Sequence, residues 1–339
     1  MKKQKSKIKA LCLLSGGLDS RLACKIMQEQ CDVEAVFFIL PFGSDGSAED
    51  ATNFSEENTI KLHVIDCTKG ELFRKYLEII RHPKHGYGSG INPCIDCHIF
   101  LLKEAKKLAK KIKADLIVTG EVLNERPMSQ HKKALDYVEI ESGLGGKLLR
   151  PLSANLLSET SAEKAGLINR DKFLAIQGRN RQQQMELAKK YRISFPQPGG
   201  GCMLCEKEFA ARLKDLFRNE NKISSKDIEL LKIGRHYRIS NAKLVVGRNE
   251  IENKEIREIA GKNDLLFEAV DIPSPTSILI GSQDSKTVRK AAEITAMHSD
   301  ANEDTVPICI MPKKKIIKSG KARREEAEAL RIQFRANNS

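Results

Sequence analysis

Residues 11–20 read Leu-Cys-Leu-Leu-Ser-Gly-Gly-Leu-Asp-Ser, an apolar run that stops at Ser15-Gly16-Gly17 and passes directly into a helical pattern from Asp19. The run has the length of a buried strand, and the glycine pair is the turn that converts it into a helix. Two glycines let backbone N–H groups approach a ligand without Cβ clashes. The unpaired first-turn amides and the helix dipole then favour an anion. The stretch predicts a strand, a glycine turn and a helix N-terminus shaped for phosphate.

The turn contains no lysine, so it is not a Walker loop, which needs Gly-x-x-x-x-Gly-Lys-Ser/Thr. The rest of the first half alternates in the same way. Helix from Asp19 to Gln30 is followed by a buried strand from Val33 to Leu40, helix from about Ser47 to Ile60, strand from Leu62 to Asp66, and helix from Glu71 to Arg81. After a Gly/Pro-rich loop at 82–93 come an amphipathic helix from Ile99 to Lys113 and a fourth strand from Leu116 to Gly120. Such alternation predicts an α/β fold with a doubly wound parallel sheet, whose ligands sit at the carboxyl ends of the strands, where Ser15 and Gly120-Glu121 would meet. From Val122 to Lys207 the pattern is irregular, with helices expected at Ser161–Ile168 and Arg181–Tyr191 and a rigid Pro/Gly hinge at 195–201.

A length of 339 residues exceeds one typical core, and the pattern changes after a helix at Glu206–Asn219 to short strands at 237–239, 243–247, 265–270 and 277–281. The expected organisation is a nucleotide-binding domain over 1–222, a smaller α+β domain over 223–312 and a basic tail over 313–339. That tail holds nine Lys/Arg against three Glu and reads as a basic helix or a disordered arm. The net charge of +13 favours a polyanionic partner. No apolar run approaches the ~20 residues that span a bilayer, and the N-terminus shows no cleavage site, so a cytoplasmic protein with no membrane partner is expected.

The nine cysteines then argue for thiol, metal or redox chemistry rather than a disulfide framework. Cys12, Cys24, Cys31, Cys67 and Cys309 are isolated and read as small core residues, whereas Cys94-x-x-Cys97 and Cys202-x-x-Cys205 form two pairs.

Ser15-Gly16-Gly17-x-Asp19-Ser20 at the end of the first strand resembles the PP-loop of the ATP pyrophosphatase superfamily, whose members cut ATP between the α and β phosphates. In that resemblance Ser15, Gly16, Gly17 and Ser20 hold pyrophosphate and Asp19 positions it with Mg²⁺. Glu34–Phe38, Val118-Thr119-Gly120-Glu121, Ser129-Gln130 and Leu149-Arg150-Pro151-Leu152 look like the catalytic domain of tRNA 4-thiouridine synthases, which places Gly120, Gln130, Phe37 and Phe38 at the ATP site. Asn92-Pro93-Cys94-x-x-Cys97-His98 is similar to a segment of tRNA 2-thiouridylases. The resemblance covers about Ile8 to Asp215 and includes no THUMP or rhodanese domain, so another element must hold the RNA.

The cysteine pairs leave three readings open. Cys97 and Cys202, with Asp19 on the nucleotide, would be catalytic if the thiols carry and resolve a persulfide. Three of Cys94, Cys97, Cys202 and Cys205 would ligate a 4Fe-4S cluster if the chain follows the cluster-dependent tRNA thiolases that it resembles, the reading favoured here. All four would hold Zn²⁺ if the site is structural. Residues 232–292, with Val246-Gly247-Arg248-Asn249 and Asp264-Leu-Leu-Phe-Glu-Ala269, look like the RNA-binding domain of NFACT proteins, and Arg235, Arg238, Lys243 and Arg248 would contact phosphates. A small domain forming a homodimer is the alternative for this region.

The combined reading is an ATP-dependent tRNA sulfurtransferase that adenylates a uridine carbonyl and takes sulfur from sulfide or a persulfide carrier. A PP-loop ligase or amidotransferase acting without sulfur, and a non-catalytic ATP-sensing RNA-binding protein, remain the alternatives.

Overall fold

The computed structural model describes residues 8–43, 47–195 and 201–335. Contacts divide the chain into two units, Met1–Cys205 and Glu206–Ser339.

In the first unit the chain runs β1 (Lys9–Leu13), α1 (Leu18–Gln28), β2 (Asp32–Ile39), α2 (Ala48–Glu57), β3 (Lys61–Asp66), α3 (Gly70–Arg81), α4 (Cys94–Ile112), β4 (Leu116–Val118), α5 (Lys132–Ser142), β5 (Leu148–Leu149), α6 (Ser161–Lys164) and α7 (Gln182–Tyr191). The five strands form one sheet in the order β3-β2-β1-β4-β5, and every pairing is parallel. Strand residues alternate between two cores, as the period-two geometry of a strand requires. Ala10, Cys12, Val33, Ala35 and Phe37 pack with Leu22, Met27 and Phe54 on one face. Leu11 and Val36 pack with Leu102, Ala105 and Val138 on the other. This is the doubly wound α/β sheet expected from the alternation, with the β1–α1 turn at its carboxyl edge.

Three details differ from the sequence reading. Helix α4 begins at Cys94 rather than Ile99, because Pro93 precedes it and Pro93 O already accepts from Cys97 N at 2.9 Å. The first cysteine pair therefore occupies a helical turn. Helix α5, unmarked in an irregular stretch, is capped by His131, whose Nδ1 accepts from Ala134 N at 3.2 Å, and it buries Ala134, Leu135 and Val138. The Pro/Gly hinge lies in part at 196–200, outside the described residues.

The second unit runs α8 (Lys207–Asn219), α9 (Ser225–Lys232), β6 (Arg235–Ile239), β7 (Ala242–Val246), α10 (Glu250–Ile259), β8 (Leu265–Ala269), β9 (Ser277–Ile280), α11 (Ser285–Met297), β10 (Thr305–Met311), β11 (Lys315–Gly320) and α12 (Arg324–Leu330). Its six strands form an antiparallel sheet in the order β11-β10-β8-β9-β7-β6. Helix α8, which the sequence pattern attached to the first domain, groups here: its Arg212 donates to Leu231 O at 3.0 Å and its Asp215 is paired with Arg238. Much of the stretch read as a basic tail is structured instead. β11 zips onto β10 from Gly320↔Thr305 to Lys315↔Ile310, and α12 buries Ala327. Among the described residues no helix is long and apolar enough to cross a membrane.

Within this unit Tyr237 and His298 share a hydrogen bond at 2.8 Å between the Tyr hydroxyl and Nε2. Burial, aided by Arg235 and Arg331, pulls the His298 pKa down to about 4. The unfolded chain binds this proton from about pH 6.5 downward and the folded chain only near 4. Stability is thus complete above 6.5 and falls progressively toward pH 4. Because His298 is partly exposed, a loss of about 1–2 kcal/mol is expected over that window. His298→Gln should flatten this part of the curve in urea unfolding followed by circular dichroism.

Candidate active site

The turn after β1 is braced by its own side chains. Ser20 Oγ donates to Gly17 O at 2.8 Å and accepts from Ser15 N at 3.2 Å, while Ser15 Oγ lies 3.2 Å from Ser20 Oγ. Gly16 has φ +87°, a left-handed conformation that a glycine adopts at little cost. Arg21, buried behind the turn, donates to Gly16 O at 2.9 Å and to Ser194 O at 2.7 Å. Helix α1 starts at Gly17 with no side-chain cap, which leaves its first-turn amides available to an anion.

Gly120 has a different duty from the one expected. A Cβ there would stand 2.5 Å from Asp19 C and from Ser20 N, so the residue lets the chain leaving β4 pass against the backbone of the phosphate turn. Gly17, by contrast, has room: a Cβ would be 3.6 Å from Ser15 Oγ.

Asp19 lies 3.6 Å from Arg181 at the start of α7. Burial pushes its carboxyl up, against the opposing pull of Arg181, Arg126 and Gln184, and its Oδ1 is buried without a hydrogen bond. Glu125 is pushed up too, by burial and by the charge of Asp19. Two carboxyls that raise one another, one with an orphaned oxygen, fit a divalent cation accompanying a polyphosphate.

Gln130 is buried, and its Oε1 accepts from Arg126 N at 3.1 Å while its own N donates to Arg126 O at 2.9 Å. It shapes the 124–130 loop that presents Arg126. Phe37 is 6% exposed in one core and Phe38 packs toward the other, so these two rings serve the sheet and do not converge on the turn. Glu121 accepts from Arg150 Nε at 2.9 Å and from the Thr119 hydroxyl at 2.9 Å, and its Oε1 is 2.8 Å from His98 Nδ1. Burial would raise this carboxyl, but Arg150 and His98 outweigh it and hold Glu121 well below the ordinary carboxylate range.

The fold brings the two cysteine pairs together. Ile91 N donates to Leu204 O at 2.8 Å and Ser89 Oγ to Cys205 O at 3.2 Å, seating the 202–205 turn on the 88–92 loop. At Gly90 a Cβ would fall 2.3 Å from Leu204 O, so only glycine fits. Asn92 Nδ2 donates to Cys205 Sγ at 2.8 Å, and the Cys97 thiol to the Tyr76 hydroxyl at 3.6 Å. Burial raises Cys94, with Asn92 and Arg126 pulling it back down and Cys205 adding to the rise. Burial also pushes Cys97 far up, and Cys94 and Cys202 are close enough to add to it. Cys97, expected to be catalytic, is thus the thiol least able to ionise. Among the described residues, no three His, Cys, Asp or Glu side chains are arranged to hold a metal ion, so the thiols as placed do not fit the cluster or the zinc site.

In the second unit the four expected phosphate-binding residues are largely engaged. Arg238 pairs with Asp215, Arg248 chelates Glu252, and Arg235 donates to Gly247 O at 3.4 Å. Lys243 is 5% exposed in β7. Sequence reasoning missed Arg21, Arg126, Arg181 and Asn92; only Asn92 had a signal, its place before Pro93-Cys94.

Residues 5–155 match the family described as Thiamine biosynthesis protein (ThiI), and residues 234–333 match the NFACT protein RNA binding domain. The chain joins a ThiI-type PP-loop domain to an NFACT-type RNA-binding domain. The NFACT match runs past 292 through β10, β11 and most of the stretch read as a tail. The PP-loop domain is also similar to a "Probable tRNA sulfurtransferase" of Ureaplasma urealyticum serovar 10, at 36% identity over 124 residues, 34% of this chain and 30% of that protein's length. Among solved structures, a predicted subunit of tRNA methyltransferase from Methanocaldococcus jannaschii aligns at 19% identity and TM-score 0.30, covering 42% of this chain and 67% of its own. An NH3-dependent NAD synthetase from Campylobacter jejuni aligns at 16% identity and TM-score 0.30, covering 68% and 85%.

Two outcomes test these placements. Gly17→Ala should fold with an unchanged melting temperature yet lose the thermal shift given by Mg-ATP, whereas Gly120→Ala should lose that shift and also about 1–3 kcal/mol of stability from overpacking. Lys243, whose pKa burial lowers to about 8, costs the NFACT-type domain about 3 kcal/mol below that pH relative to an unfolded value near 10.5. Lys243→Met should therefore raise stability at pH 7 in chemical denaturation, and it should leave the salt dependence of RNA binding unchanged.

Proposed function

We propose that the protein is an ATP-dependent tRNA sulfurtransferase. The observation that carries this reading is Arg126: its charge acts on both Asp19 at the phosphate turn and Cys94 in the cysteine cluster, which puts nucleotide and thiol chemistry within one unit. A ligase or amidotransferase would have no use for four gathered thiols.

In the proposed reaction the uridine carbonyl oxygen attacks the α-phosphorus of ATP and pyrophosphate leaves. The amides of α1 and the hydroxyls of Ser15 and Ser20 bind the phosphates, and Arg181 offsets their charge. Mg²⁺ would be held by Asp19 and Glu125 and would neutralise the polyphosphate. The adenylated carbon then accepts the terminal sulfur of a persulfide on Cys94, supplied by a persulfide carrier, and the bond to AMP breaks. Cys205 attacks Cys94 Sγ, the persulfide S–S bond breaks with its electron pair going to the nucleobase sulfur, and thiouridine leaves. A dithiol reductant restores the two cysteines. Asn92, which donates to Cys205 and also pulls Cys94 down, stabilises their thiolates. The NFACT-type domain supplies RNA affinity.

Cys94→Ser and Cys205→Ser should each abolish thiouridine formation in mass spectrometry of tRNA nucleosides while keeping the Mg-ATP thermal shift. Cys97→Ala should cost stability before it costs turnover. Close to four irons per chain with turnover on inorganic sulfide would overturn the thiol assignment in favour of a cluster. Unaltered thiouridine in tRNA from a deletion strain would sink the sulfur reading altogether.

A further inference from the structure

One buried side chain near the phosphate turn has no role so far. Gln184 lies in the first turns of α7, is 0% exposed, and neither Nε2 nor Oε1 has a hydrogen-bond partner. Leaving an amide dry and unpaired costs on the order of 1–3 kcal/mol, and buried polar groups without partners are rare enough that each calls for a cause.

The surroundings supply one. Asp19 Oδ1 and Arg181 Nε are likewise buried and without hydrogen bonds, and Arg181 is 3.6 Å from Asp19. Gln184 is near enough to Asp19 to influence its carboxyl. The α1 and α7 helices share a core through Leu22 and Ala188, and both begin without a side-chain cap. Three orphaned polar groups thus gather beside two uncapped helix N-termini. Donors from Gln184 and Arg181, together with acceptors from Asp19 and Gln184, match the mixed demands of a metal-complexed polyphosphate.

We propose that Gln184 is a ligand-binding residue whose amide, unpaired in the free protein, bonds to the metal-complexed pyrophosphate end of ATP and makes α7 the second wall of the phosphate site. This rests on the nucleotide reading of the Ser15–Ser20 turn and adds to it a contact that no glycine-loop pattern reveals. Because the amide is satisfied only with ligand present, it contributes to affinity and subtracts from the stability of the empty protein.

The test is Gln184→Leu in the full chain, with Gln184→Met alongside in case the branched side chain packs poorly. Thermal unfolding without ligand and calorimetric titration with Mg-ATP and Mg-pyrophosphate are the two readouts. The expected result is an unchanged or higher melting temperature in the empty protein, with affinity for both ligands down by about tenfold or more. Wild-type affinity in the folded variants, with a lower melting temperature, would show an amide held by a buried water and would overturn the proposal. Wild-type protein that binds neither Mg-ATP nor Mg-pyrophosphate would defeat the nucleotide reading and this residue's role together, a result separable from variants that bind as tightly as wild type.

Discussion

The candidate site depends on one close approach of backbone to backbone. The chain leaving β4 crosses the first turn of α1 at a distance that leaves no space for a Cβ at Gly120. That contact joins the β1 turn to the β4 exit, and the β4 exit in turn carries Glu121, Glu125 and Arg126. Arg21 braces the same turn from behind by holding Gly16 O and Ser194 O. The phosphate turn is therefore clamped on both sides before any ligand arrives, which is the condition for electrostatic preorganisation.

The cysteines are assembled by the same device. Gly90 admits the carbonyl of Leu204, the 202–205 turn settles on the loop before α4, and Asn92 spans the gap to Cys205. Backbone hydrogen bonds hold the two Cys-x-x-Cys segments, so the sulfurs need no metal to be gathered. The consequences for reactivity are unequal. Cys97 is drawn into the apolar region beside Tyr76, while Cys94 faces Arg126 and the amide of Asn92.

Charge turns out to be a poor guide to the RNA surface. Arg238, Arg248 and Lys243 were expected to contact phosphate because they cluster around two strands. Two of them are instead ion-paired at home and the third is buried. In an antiparallel strand successive side chains point to opposite faces, so a run of basic residues divides between solvent and core according to register, which the composition does not disclose.

What the sequence determined by itself was local: the strand, glycine turn and helix at 11–20, the alternation that makes a parallel sheet, and the existence of two cysteine pairs. Each follows from periodicity or turn chemistry within a few residues, where the backbone has few options. Only the tertiary structure decided that Cys94 meets Cys205, that Arg126 and Arg181 flank Asp19, that Gln184 is left unpaired beside them, and that residues 315–320 add a strand to the sheet. These are contacts across up to about 165 residues of chain, set by which surfaces pack together and which backbone groups remain to be satisfied, and no local pattern records them.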